Sequence, residues 1–181
     1  MIRSFVIFIL ITMPVSIFGQ MSSEKYQKLY DDVKQTDSLI DKDEYDLSVQ
    51  LDRDLRRSEG ATKAERTLHY YHALNDYLKI VVTQSINGKV EVVKNYYFSP
   101  QKNLVVSEIE HKNFSRHIYI YEEDNPVMAA NLAWNPETMN YGVLHFKKIS
   151  GDMETEGENL LRNAVSYYDV TSAFVDDMPT E

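Results

Sequence analysis

Two pairs of histidines are the residues whose type and spacing could support chemistry. His69 and His72 are three positions apart, which on a helix puts both imidazoles on one face at the spacing of metal ligands. On a strand the same two side chains point to opposite faces and cannot bind one ion. The residues between them are tyrosines, so no metallopeptidase motif is present. A metal site here therefore depends on the segment being helical.

The second pair, His111 and His117, lies near the ends of two consecutive predicted strands. The two rings could approach each other, with Glu108 or Glu110 nearby. Imidazole and carboxylate groups together can transfer protons or bind a metal ion. Histidines that flank a hairpin are nevertheless more often half-exposed strand residues. We therefore assign no catalytic, cofactor-binding or metal-binding residue from the sequence, and we predict no cofactor.

Other catalytic signatures are missing from the sequence. It contains no Gly-x-Ser-x-Gly elbow, no glycine-rich phosphate loop and no dinucleotide fingerprint. It also contains no cysteine, which excludes thiol nucleophiles, thiolate zinc sites and disulfides. Stability must then come from packing.

Tyrosine dominates the aromatic residues, with 13 Tyr against seven Phe and one Trp. Aromatic side chains from consecutive strands can line one face of a sheet, and rigid amphipathic rings are typical of binding hot spots. This pattern gives a candidate partner-binding surface formed by Tyr97, Tyr119, Tyr121 and Trp134. The preferred interpretation is that the rings fill the core beneath the helices. Burial separates the two interpretations.

The N-terminal sequence MIRSFVIFILITMPVSIFGQ has the pattern of a secretory signal peptide. Arg3 is its one charged residue, and the apolar run from Phe5 to Ile11 is shorter than the about 20 residues that cross a bilayer. The small residue Gly19 predicts cleavage before Gln20. We expect a signal peptide at residues 1–19, export to the periplasm or the medium, and no membrane anchor.

The charge of the chain limits its partners. The formal net charge is −9, and an acidic surface repels nucleic-acid phosphates and anionic lipid head groups. We expect no nucleic-acid binding, whereas basic proteins or cations are favoured electrostatically.

Hydrophobic periodicity predicts a helix over about 23–40 and a strand that begins at Tyr45. Residues 53–66 are predicted to form a charged connection around Gly60. Residues 62–79 are ambiguous between a helix and a hairpin with an Asn75–Asp76 turn. We prefer the hairpin over 67–82, because the segment continues into a β-branched run.

Short strands and tight turns fill the middle of the chain. Asn87–Gly88 is the strongest hairpin signal, and further strands follow it, the last being YGVLHFKKI at about 141–149. Connections this short require antiparallel pairing, which predicts a meander of six to eight strands. Beyond Gly151–Asp152 the pattern returns to helix, and an acidic tail at 176–181 is expected to fray. We predict a single α+β domain over residues 20–181, with both helices packed on one face of the sheet.

Two segments, KNYYFSPQKNLVVSEIEHK and SRHIYIYEEDNPVMAA, carry a resemblance to a group of known sequences. Their "YYF-turn-L-hydrophobic" and "R-aromatic-Y-turn-hydrophobic" units resemble those of uncharacterised small exported β-meander proteins from Gram-negative bacteria. The resemblance extends to 57–71 and implies the hairpin at 67–82. It implies no activity and no site residues.

Export, small size, acidic charge and the missing catalytic motifs favour a non-catalytic module that binds a macromolecule. Inhibitors, immunity proteins and envelope-assembly proteins are of this type, and the expected partner is a protein or a glycan of the cell envelope. The alternative is a periplasmic hydrolase or metal-dependent enzyme that uses His111, His117 and nearby carboxylates. A lipid or small-ligand carrier would need an apolar cavity.

Overall fold

The computed structural model describes residues 14–42, 44–58, 61–71 and 77–176. A long helix precedes the strands and a second long helix follows them. The elements in chain order are α1 (Pro14–Ile40), β1 (Asp46–Ser58), β2 (Ala61–Tyr71), β3 (Leu78–Ile86), β4 (Lys89–Phe98), β5 (Leu104–His111), β6 (Ser115–Glu122), β7 (Asn125–Asn135), β8 (Asn140–Tyr141), β9 (Lys147–Lys148) and α2 (Asp152–Asp176).

The sheet is an antiparallel meander. Strands β1 to β8 lie side by side in sequence order, and β9 also pairs with β7. This confirms the predicted α+β meander with one helix at each end of the chain. The turn at Asn87 and Gly88 uses φ angles of 50° and 78°, left-handed values that asparagine and glycine tolerate best.

The ambiguous segment is a hairpin and not a helix. Strands β2 and β3 pair antiparallel, with Leu68 opposite Val81. The β-branched residues Val81 and Val82 fit a pleated surface with both faces occupied. The predicted Asn75–Asp76 turn lies outside the described residues.

Two predicted boundaries are wrong. The charged connection at 53–66 is mostly strand, because β1 continues to Ser58 and β2 begins at Ala61. Arg53, Asp54, Lys63 and Arg66 are exposed, whereas Glu65 is buried. Arg66 Nε donates to Asp52 Oδ1 across the β1–β2 pair at 2.7 Å. The predicted strand at 141–149 is reduced to β8 and β9, and the chain between them leaves the ladder at the 94 % exposed Val143.

The two helices cover opposite faces of the sheet, which corrects the prediction of one shared face. Tyr30 and Val33 of α1 pack in one core with Tyr97, whereas Leu160 of α2 packs in a second core with Tyr96. Adjacent strand residues point to opposite faces, so Tyr96 and Tyr97 belong to different layers. The result is a helix–sheet–helix sandwich with a core on each side of the sheet.

Part of the predicted targeting segment can be placed. Residues 14–19 belong to α1, while residues 1–13 and the end of the acidic tail at 177–181 lie outside the described residues. Cleavage before Gln20 stays a prediction. No helix among the described residues combines the length and the apolar character that crossing a bilayer requires.

Candidate functional site

The candidate site is an open groove beside the turn that joins β5 and β6, on the face of the sheet where His117 contacts Glu156 of α2. Its volume is about 930 Å³. The turn between β5 and β6 forms one wall, and the turn after β7 forms the other. The lining residues that matter for its chemistry are His111, His117, Asn131, Phe114, Trp134 and Met139.

The sheet brings His111 and His117 onto one face. His117 lies opposite Ile109 and His111 lies opposite Ser115, so the two histidines are diagonal neighbours on β5 and β6. Their ring centroids are 6.4 Å apart with an interplanar angle of 64°. The pair is therefore adjacent across the hairpin, as its spacing in the sequence suggested.

The carboxylate beside this pair comes from α2. Glu156 Oε2 lies 3.0 Å from His117 Nδ1 and also accepts a hydrogen bond from the Tyr119 hydroxyl. The hydrogen bond with His117 lowers the pKa of Glu156 against the effect of burial, and the Tyr119 hydroxyl acts in the same direction. Since an ionised carboxylate can only accept, Nδ1 of His117 is the donor in this contact, and Nε2 is the ring nitrogen that can act as an acceptor in the neutral imidazole.

The carboxylates expected from the sequence lie elsewhere. Glu108 is on the α1 face, where Arg116 donates to its Oε1 at 2.8 Å, and Glu110 pairs with Lys112 at 2.6 Å. Both glutamates have the opposite strand parity to His111, and this parity could be read from the sequence. Glu156 was missed because it is 39 residues from His117 in the chain. No local pattern reports such a contact.

A glycine allows α2 to approach the sheet at this point. A Cβ on Gly157 would lie 2.8 Å from Pro126 Cβ and 3.2 Å from Tyr119 Cδ1, closer than side chains pack. The Gly157 carbonyl also accepts a hydrogen bond of 2.9 Å from the buried Tyr121 hydroxyl. These contacts fix the helix turn that carries Glu156.

Apolar side chains form the rim of the groove. Phe114 is 76 % exposed and Met139 is 73 % exposed. Trp134 is half-buried, and its ring packs edge-on against Tyr141 at a centroid distance of 5.1 Å. Large apolar side chains that are grouped and exposed are typical of interaction sites.

Three of the four residues of the candidate partner-binding surface are buried inside the protein. Tyr97, Tyr119 and Tyr121 are buried, and Tyr97 lies on the α1 face while the other two lie under α2. They fill the two cores, as the preferred interpretation expected, and no partner can reach them without displacing a helix. Of the four residues, only Trp134 lines the groove.

The other histidine pair does not form the helical site that chelation would need. His69 lies on strand β2 and is buried, with its ring 6.4 Å from that of Tyr168. His72 is outside the described residues. Among the described residues, no group of three or more histidine, aspartate or glutamate side chains is placed to hold a metal ion.

A second polar cluster lies beneath α1 and is closed by the helix. Glu108 accepts hydrogen bonds from Tyr30, Asn95 and Arg116 at 2.6 to 3.0 Å. Asp37 of α1 pairs with Lys79 at 2.6 Å. Burial acts to raise the pKa of both carboxyls, but the cations around them hold both pKa values below the ordinary range. Its closure and paired charges make this cluster structural.

No family model, no curated protein and no solved structure matches this chain.

Proposed function

We propose that this protein is an exported, non-catalytic module that binds another protein through the groove. The observation that carries the proposal is the exposed apolar rim, where Phe114 and Met139 flank an open depression. Aromatic residues and methionine are enriched in the buried centres of protein interfaces.

A protein partner fits the rim better than a glycan does. A flexible thioether such as Met139 adapts to apolar side chains, whereas sugar recognition would need more convergent polar groups. The net charge of −9 favours a basic surface on the partner, since complementary charge speeds association. The N-terminal sequence pattern supports a partner in the cell envelope.

The test is cross-linking and affinity capture of the tagged protein from its native envelope, followed by binding measurements with the purified partner. We expect the double variant Phe114→Ser, Met139→Ser to bind the partner at least about tenfold more weakly, because each side chain loses its buried contact area. The matched control is Val143→Ser, which removes an apolar side chain that is even more exposed and lies outside the groove lining.

Three results would contradict the proposal. The first is equal loss of binding in the rim variant and in the Val143 variant. The second is a captured partner that binds the rim variant and the unmodified protein with the same affinity. The third is a partner that is a glycan.

The contact between Glu156 and His117 supports a second candidate function, a hydrolase. A carboxylate that orients an imidazole beside an open groove is the arrangement of a general base. His117 Nε2 would take a proton from an attacking water. If this is correct, turnover of chromogenic ester or phosphate substrates is abolished by His117→Ala and reduced by Glu156→Gln. No turnover by the unmodified protein ends this candidate.

A further inference from the structure

We propose that His111 and His117 bind one transition-metal cation, such as Cu²⁺ or Zn²⁺, at the groove, with water molecules as the remaining ligands. Imidazole nitrogen is a preferred ligand of both ions. The inference concerns the free protein and does not depend on the proposed protein partner.

The separation of the rings is compatible with one shared ion. A metal–nitrogen distance of about 2.0–2.1 Å, with the ring centre about 1.1 Å behind the nitrogen, allows two coordinating rings to have centroids roughly 5 to 6.4 Å apart. The observed 6.4 Å is at the wide end of this range. Both side chains are partly exposed, so small rotations about their own bonds bring the nitrogens together.

Glu156 prepares His117 for this role. Metal-ligating histidines usually donate their second ring N–H to a carboxylate, which fixes the tautomer and the ring orientation. Glu156 Oε2 accepts from His117 Nδ1 at 3.0 Å, which leaves Nε2 as the ligand atom. The Tyr119 hydroxyl holds the same carboxylate oxygen.

The number of protein ligands determines how tightly the site is expected to bind the metal cation. The part of the chain that the structure describes offers two imidazoles here and no group of three potential ligands. Binding is therefore weaker than at four-ligand structural zinc sites. The water molecules at the remaining coordination positions can be replaced by other ligands.

The experiment is a titration of the purified protein, freed of any histidine tag, with CuCl₂ and separately with ZnSO₄. Binding is followed by isothermal calorimetry and by the imidazole signals in NMR spectra. We expect one equivalent to bind and to perturb the rings of His111 and His117. His111→Gln and His117→Gln each weaken binding at least about tenfold, and Glu156→Gln weakens it about ten- to a hundredfold.

The matched control is His145→Gln, which removes an exposed histidine that does not line the groove and leaves binding unchanged. Circular dichroism melting of each variant confirms folding. The rim variant Phe114→Ser, Met139→Ser keeps its metal affinity, which separates this inference from the partner proposal. Absence of saturable binding, or binding that survives both histidine substitutions, would overturn the inference.

Discussion

The two faces of the sheet hold their helices by different means. Under α1, an apolar core that contains Val33 is combined with buried ion pairs and hydrogen bonds around Glu108 and Asp37. Under α2, the contact centres on apolar and aromatic side chains and on close backbone approach at Gly157. A buried ion pair gains little net stability, because desolvation of the charges offsets their attraction, whereas apolar packing stabilises directly.

This difference explains where the candidate site lies. The charged groups of the α1 face are occupied with one another and closed off beneath the helix. On the α2 face the helix is held tightly at Gly157, so the neighbouring Glu156 is presented to His117 in a fixed position. The α2 face therefore carries the reactive arrangement, whereas the paired charges of the α1 face are structural.

The largest loss of stability is expected from a substitution in the buried cluster beneath α1. Glu108→Ala leaves Arg116 and Lys34 without the buried carboxylate that they contact. Removing one partner of a buried ion pair costs about 3–5 kcal/mol of unfolding free energy. Chemical denaturation monitored by circular dichroism measures this loss.

The matched control is Glu122→Ala, which removes an exposed ion pair between the sheet and Lys25 of the same helix. It should cost less than about 1 kcal/mol, because water screens exposed pairs. Equal losses in the two variants would show that the buried cluster is not distinct from the surface.

The next effect is pH dependence on the α2 face. His69 is 2 % exposed, and neither ring nitrogen has a hydrogen-bond partner among the described residues. Burial lowers the pKa of His69 to about 4. Below the unfolded-state pKa near 6.5, His69 gains a proton in the unfolded protein but stays neutral in the folded one. The unfolding free energy therefore falls by about 3 kcal/mol as the pH drops from about 6.5 to about 4, and this loss is absent above pH 6.5.

The measurement is the difference in unfolding free energy between the unmodified protein and His69→Leu across this pH range. We expect the unfolding free energy of the variant, relative to that of the unmodified protein, to be higher at pH 4 than at pH 7. The reason is that leucine has no buried nitrogen to protonate. Parallel pH profiles for the two proteins would mean that His69 remains hydrated or paired in solution.

A smaller effect is expected from a substitution that disturbs the packing of α2 on the sheet. Gly157→Ala inserts a methyl group against Pro126 and Tyr119, which should cost about 1–3 kcal/mol despite the better helix propensity of alanine. The displaced helix should also weaken the contact of Glu156 with His117, visible as a shift of the His117 imidazole signals. Gly142→Ala is the control, since a Cβ at that position would have nothing within 4 Å of it. A neutral Gly157→Ala would mean that α2 is not closely docked.

Strand order and strand pairing could be predicted from the sequence, because turn residues and period-two patterns are local. The Asn87–Gly88 hairpin and the hairpin at 67–82 follow from such signals. The face covered by each helix was misjudged, although a signal was present. Residues 96–98 and 118–121 are buried without alternation, which is typical of strands covered on both faces.

The candidate site was less accessible to sequence reasoning. The pairing of His111 with His117 follows from one hairpin, so proximity in sequence was informative. Glu156 joins them only because α2 packs on that face, and helix docking depends on tertiary contacts such as the one at Gly157. The buried cluster beneath α1 was missed for the same reason, since Asp37 and Lys79 are 42 residues apart.

The arrangement of the helices is the claim on which the site and the comparison both depend, and a spin-label distance tests it most directly. The chain lacks cysteine, so Asp31→Cys on α1 and Ser166→Cys on α2 provide two unique, exposed labelling positions. With the sheet between the helices, we expect a distance above about 20 Å, roughly twice the spacing of packed layers. Strong dipolar broadening, indicating labels within about 15 Å of each other, would place the helices side by side on one face and contradict the structure.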